Sequence, residues 1–166
     1  MKKIYCILFS VLFIFLLTAC ENRTKITPIT ENISFVAEIS YNDNEIVCNG
    51  EIDEKGTVKF TVVSPEEIEG FFYKFDEGKT QTGFGDINYP FDEVSASNPF
   101  STINSFFVTV RKDKSNILLK NNVFSYSGKC DYGKFKMNFG ESGLPLSAVS
   151  ESENTEAVFK KVYIDK

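Results

Sequence analysis

"ISFVAEISYNDNEIVCNGEIDEKGTVKFTVV", residues 33 to 63, decides the fold. Ile33, Phe35, Ala37, Ile39 and Tyr41 alternate with mostly polar neighbours, the period of a strand with one buried face. Asn42-Asp43-Asn44 reads as a turn, because short polar side chains bond their own backbone and tolerate left-handed conformations. Ile46, Cys48, Gly50 and Ile52 resume the alternation, Asp53-Glu54-Lys55-Gly56 turns again, and Val58, Phe60 and Val62 make a third strand. Three strands joined by tight turns predict an antiparallel meander.

Toward the C-terminus the pattern changes briefly. Ser64-Pro65-Glu66-Glu67-Ile68-Glu69-Gly70 predicts a single helical turn, with Ser64 as cap, Pro65 at the first position, Glu67 closing a capping box and Gly70 as the stop. Strands follow at 71–75 and 79–84, and residues 86–98 read as irregular. Asn98-Pro99 opens the one substantial helix: Phe100, Ile103, Phe107 and Val110 fall at helical spacing with Phe106 beside them, and Arg111 and Lys112 lie where the helix dipole favours cations. A second run of strands is predicted at 116–120, 123–130, 134–139, 144–150 and 157–164. About ten strands, one main helix and one helical turn give a mainly β (α+β) fold: a strongly curved antiparallel half-open barrel with the helix covering its concave side.

Toward the N-terminus, Met1-Lys2-Lys3 is followed by an uncharged, mostly apolar run from Ile4 to Leu17. A membrane-spanning helix needs about 20 such residues, whereas a signal peptide needs a basic start, an apolar run of roughly 7–15 and small residues at the cut. The run fits the signal better than an uncleaved anchor. Its end, Leu17-Thr18-Ala19-Cys20, resembles the bacterial lipobox. The resemblance implies cleavage after Ala19, lipid on the Cys20 sulfur, and an extracytoplasmic protein held at the outer leaflet of the cell membrane or in the envelope. The chain then divides into a signal peptide at 1–19, a polar lipidated tether at 20–31 and one folded domain at 32–166.

Without the first 19 residues, 16 basic side chains face 23 acidic ones, a formal charge of −7. That excess argues against nucleic acid and against a polybasic dock on anionic lipid. The same segment keeps 14 Phe and 6 Tyr and has no Trp. Composition leaves two readings of so many rings, a dense aromatic core or an apolar cavity. Cys48 and Cys130 remain after the signal and the lipidated residue. Outside the cytoplasm they either form a bridge closing an 83-residue loop, worth about 4–5 kcal/mol by loop entropy, or stay two separate thiols.

The sequence has no His, which removes the usual partner of a catalytic cysteine and any His/Cys zinc site. "GFGD" at 83–86 is too short for a phosphate loop and lacks its Lys. The acidic pairs Asp53-Glu54, Glu66-Glu67 and Asp92-Glu93 fall in predicted turns or on solvent faces, so no catalytic residue, metal or cofactor is expected.

Four segments in order, the strand pair through Gly50 with "GTVKFTVVSPEEIEG", then "FFYKFDEGKTQTGFG", "NPFSTINSFFVTVRK" and "MNFGESGLPLSAVSESENTEAVFKKVYI", resemble the lipoprotein-localisation carriers of the LolA/LolB type across nearly all of residues 32–165. The resemblance implies a helix-covered half-barrel whose concave apolar surface takes a lipid or acyl chain, with Phe35, Phe60, Phe71, Tyr73, Phe100, Phe107 and Phe135 as candidate lining. It also marks a departure. Carriers that release cargo by opening a lid hold an arginine near an early strand, and the only arginines here are Arg23 in the tether and Arg111 at the helix end. Two functions follow as expectations: a membrane-tethered, non-enzymatic binder of a hydrophobic ligand, or an envelope sensor that uses the same fold as a platform for a membrane-protein partner.

Overall fold

The computed structural model describes residues 25–91, 98–113, 117–120 and 123–165. Cys20, Arg23 and the Asp92-Glu93 pair lie outside them. Twelve strands form one antiparallel sheet in the order β1-β8-β9-β10-β11-β12-β2-β3-β4-β5-β6-β7, with a single α-helix among the described residues. The meander is β2 (Ile33–Tyr41), β3 (Asn44–Ile52) and β4 (Val58–Ser64). β5 (Phe71–Asp76), β6 (Lys79–Phe84) and β7 (Ile87–Phe91) extend it on one side. On the other side come β12 (Thr155–Ile164), β11 (Pro145–Ser150), β10 (Gly133–Phe139), β9 (Val123–Cys130), β8 (Ile117–Lys120) and β1 (Lys25–Ile26). β7 is one free edge, and the other is made by β1, β8 and the part of β9 beyond Phe124, so the sheet is open.

The helix, α1 (Pro99–Asp113), starts as its sequence predicts. The Asn98 side-chain oxygen accepts from the Phe100 N–H at 2.8 Å and the Ser101 N–H at 3.4 Å, and Pro99 follows at the first position, where a missing N–H costs nothing. Its rings reach both halves of the sheet. Phe100 stacks on Tyr73 of β5 at 4.8 Å, and Phe106 stacks on Phe135 of β10 at 4.4 Å. β5 and β10 are six strand spacings apart in the sheet, roughly 29 Å if it were flat, whereas a helix with its side chains is about 10–12 Å across. One helix can touch both only if the sheet curls around it, which makes the helix side concave.

Three local expectations need correction. Residues 25–31 are not a free tether throughout: Lys25 and Ile26 pair with Leu118 and Ile117, and the Ile29 N–H donates to the Gly143 carbonyl at 2.8 Å. Residues 87–91, expected to be irregular, form β7, in register with β6 from Phe84↔Ile87 to Thr80↔Phe91. The capping box at Ser64 does not form. Ser64 is the last residue of β4, and the turn is one 3-10 turn over Glu66–Ile68 with no side-chain cap.

Gly50 has a steric reason. A Cβ there would lie 2.1 Å from Cε2 of Phe35, so only glycine lets that ring lie flat across β3.

Candidate functional site

Cross-strand partners share a face of the sheet. One row of partners therefore traces the concave face: Phe35, Gly50, Phe60, Tyr73, Thr82 and Tyr89. A parallel row runs Phe71, Phe84 and Ile87. No residue in either row is charged. Along the first row the cover changes. Phe35 and Phe60 are 3% and 0% exposed beneath α1, Tyr73 is half-buried at the helix margin, and Tyr89 is 57% exposed at the sheet edge. In the second row Phe71 is half-buried, while Phe84 and Ile87 are 56% and 57% exposed. The concave face thus continues past the helix as an apolar shelf on β5, β6 and β7.

This arrangement divides the predicted lining residues. Phe35, Phe60, Phe100, Phe107 and Phe135 are all buried and packed on one another or on neighbouring rings, as in Phe35 stacked on Phe107 at 5.8 Å and Phe60 against Phe100 at 5.4 Å. They are core. Phe71 and Tyr73, edge to face at 5.3 Å, lie where the core opens onto the shelf. Phe84, Ile87 and Tyr89 were not singled out in the sequence. Ile87 and Tyr89 do alternate, but Pro90 and the surrounding turn residues hide a short strand whose register is set by its neighbour.

An open cleft of about 1140 Å³ adjoins the shelf. Its walls are the flank of α1 (Ser101, Asn104, Val108), the β5–β6 hairpin (Phe75, Thr80) and the β9–β10 turn at Tyr132. Lys55, Lys79, Arg111, Lys112 and Lys129 line it, together with Asp76, Glu77, Asp113 and Asp131. The Asp113 carboxylate accepts from the Tyr126 hydroxyl at 2.8 Å. Burial, then that bond and the negative charge of Asp113, push the Tyr126 phenol up to about 12.

Arg111 fastens the end of α1 to the meander. Its Nη1 donates to the Gly56 carbonyl in the β3–β4 turn at 3.1 Å, and its Nε lies 3.4 Å from Oε1 of Glu31. Gly56 sits at φ +82°, and a Cβ there would fall 1.4 Å from Nη1, so its glycine serves both the turn and the arginine.

The cysteines do not form a bridge. Cys48 and Cys130 are free thiols. β3 and β9 stand five strand spacings apart in the sheet, whereas a disulfide needs Cα atoms about 4.4–6.8 Å apart. Cys48 faces the core opposite Ala37 and Val62, and burial pushes its thiol up to about 12. Cys130, partly exposed, lies with its Sγ 3.6 Å from the Gly133 carbonyl. Among the described residues, no cluster of three Cys, Asp or Glu could hold a metal, and no helix is long and apolar enough to cross a membrane.

No protein-family model matches the chain, and no curated protein matches it. Among solved structures the chain is similar to a LolA superfamily protein from Nitrosomonas europaea, with a TM-score of 0.37 and 6% identity over 88% of each chain. A likeness that distant says nothing of what this chain binds.

Proposed function

We propose that this protein is a membrane-anchored extracytoplasmic lipoprotein that is not an enzyme, and that it binds a lipid or acyl chain on the concave face of its sheet. The observation that carries the ligand reading is the shelf. An uncharged face continues from a closed aromatic core into solvent, where three large side chains remain more than half exposed. Isolated exposed apolar residues are ordinary, but contiguous ones beside a concave surface mark a binding surface. Each CH₂ of an acyl chain laid there gains about 0.8 kcal/mol on leaving water, so the site needs no special polar chemistry. Phe71, Tyr73, Phe84, Ile87 and Tyr89 would touch the chain. Phe35, Phe60, Phe100, Phe107 and Phe135 would hold the face rigid from below.

The anchoring reading rests on Met1-Lys2-Lys3, the apolar run and Leu17-Thr18-Ala19-Cys20. Cys20 and Lys25 are five residues apart, a reach of at most about 18 Å, which would keep the β1–β8 edge close to the membrane.

Two measurements test these readings. Cys20→Ala should leave the protein soluble or stalled with its signal attached; membrane retention with a cleaved signal would sink the anchor. Full-length protein in mild detergent, titrated with fatty acid or phospholipid and read by native mass spectrometry, should hold one ligand per chain. A chain that binds none, but crosslinks in cells through Phe84 or Tyr89 to one membrane protein, would favour the platform reading instead.

A further inference from the structure

We propose that the ligand is an anionic phospholipid, with an acyl chain on the shelf and its headgroup in the cleft beside α1; this deepens the ligand-binding reading above and rests on it. The shelf rows carry no charge, so they have nothing with which to neutralise an anionic head. The charge lies next door. The two surfaces meet on β6, where Thr82 belongs to the shelf and Thr80, two residues back on the same face, lines the cleft. Phe75, in the cleft wall, stacks on Tyr73 of the shelf at 6.3 Å. From Thr80 to Phe84 the strand runs about 13 Å, which sets the length of chain that can lie extended between the cleft and the hairpin tip.

The cleft holds ammonium groups that no described carboxylate engages. Arg111 is committed to Glu31 and the Gly56 carbonyl, which leaves four lysines; of the four carboxylates that also line the cleft, Asp113 takes the Tyr126 hydroxyl and Asp76 that of Thr57. Among the described residues, no carboxylate lies within 4 Å of Lys55, Lys79, Lys112 or Lys129, so these ammonium groups are free to turn toward a ligand.

The rest of the lining is suited to a hydroxylated head. The Ser105 hydroxyl donates to the Thr102 carbonyl at 2.7 Å and the Thr109 hydroxyl to the Ser105 carbonyl at 2.7 Å. With their protons used, both oxygens can only accept, which favours a ligand that brings O–H groups of its own. Ser101, 4% exposed in the same wall, has a hydroxyl with no partner. A volume of about 1140 Å³ far exceeds what a bare carboxylate fills and leaves room for a phosphodiester with its glycerol.

The test uses full-length protein in mild detergent and native mass spectrometry, with phosphatidylglycerol, phosphatidylcholine of the same chains, and a free fatty acid as probes. A single adduct should form with phosphatidylglycerol at about one-tenth the concentration that phosphatidylcholine requires, the size expected of a few solvent-exposed ion pairs. The triple variant Lys79→Gln/Lys112→Gln/Lys129→Gln should weaken phosphatidylglycerol more than phosphatidylcholine and bring the two to parity. Equal binding of both phospholipids by the unaltered protein, a preference that survives the triple variant, or tighter binding of the fatty acid than of either phospholipid would overturn the headgroup assignment and leave the shelf intact. No adduct with any probe would overturn the shelf as well.

Discussion

The concave face of this sheet is two surfaces made from one pattern. Beneath α1, Phe35, Phe60, Phe107 and Phe159 meet one another edge-on or stacked at 5.2–6.2 Å. On β6 and β7 the same alternation places Phe84, Ile87 and Tyr89 in the open. The residue types barely differ between the two regions. What differs is whether a helix lies over them, and the helix covers the strands from β5 to β9 but not the β6–β7 hairpin. Apolar alternation therefore marks the face without saying which part of it is core and which part is available to a ligand.

That contrast can be broken from the covered side first. Phe107→Ala removes a ring that touches both Phe35 and Phe159, and should cost about 3–5 kcal/mol in urea unfolding. A loss of under 1 kcal/mol would mean that the helix does not seal the core. Gly50→Ala pushes a methyl into the Phe35 ring and should cost about 1–3 kcal/mol; a neutral result would show that the ring has room to move.

Raising the pH tests the sealing without a mutation in the aromatic cluster. The Cys48 thiol is held up to about 12 in the folded chain and titrates near 9 when unfolded. The stability it contributes is therefore complete below pH 9 and falls above it, by at most about 1.4 kcal/mol per pH unit, until the folded thiol also ionises. Thermal melts between pH 8 and 11 should show this slope, and Cys48→Ala should flatten it. Under native conditions at pH 8 a thiol reagent should leave Cys48 unmodified.

The smallest stability change is expected on the shelf. Phe84→Ser and Tyr89→Ser should move unfolding by less than about 0.5 kcal/mol, as substitutions of exposed residues do. The same pair should weaken acyl-chain binding about tenfold or more, since each ring offers apolar area that only a ligand would bury. A large loss of stability would make the shelf part of the core, and unchanged binding would place the ligand elsewhere.

Much of the fold was legible in the sequence. Residues 33–63 announce three strands because every inward position is apolar and every break carries turn chemistry. The helix announces itself by its Asn-Pro start and its phenylalanine spacing. The misses share a cause. β1 is two residues long and exists only because β8 offers it a partner, and β7 contains Pro90, which reads as a breaker although it is tolerated at a sheet edge. The disulfide alternative failed for the same reason: spacing in sequence carries no information about strand order. The candidate site was half legible. Phe71 and Tyr73 were found because their strand was found. Phe84, Ile87 and Tyr89 were missed because the exposure of a side chain depends on where the helix ends, a tertiary fact that no local pattern holds.

The two edges of the open sheet have a consequence of their own. A twelve-stranded ribbon rich in Phe is a natural template for sheet-to-sheet stacking between neighbouring molecules. Here one border is a strand of two residues and the other carries a proline that has no N–H to donate. The first border is not all short, however: β8 pairs only Val123 and Phe124 of β9, and Ser125–Cys130 has no second partner strand among the described residues. A neighbouring copy would therefore find its ladder on β9 rather than on β7, where Lys129 of β9 is the charge that stands against such pairing.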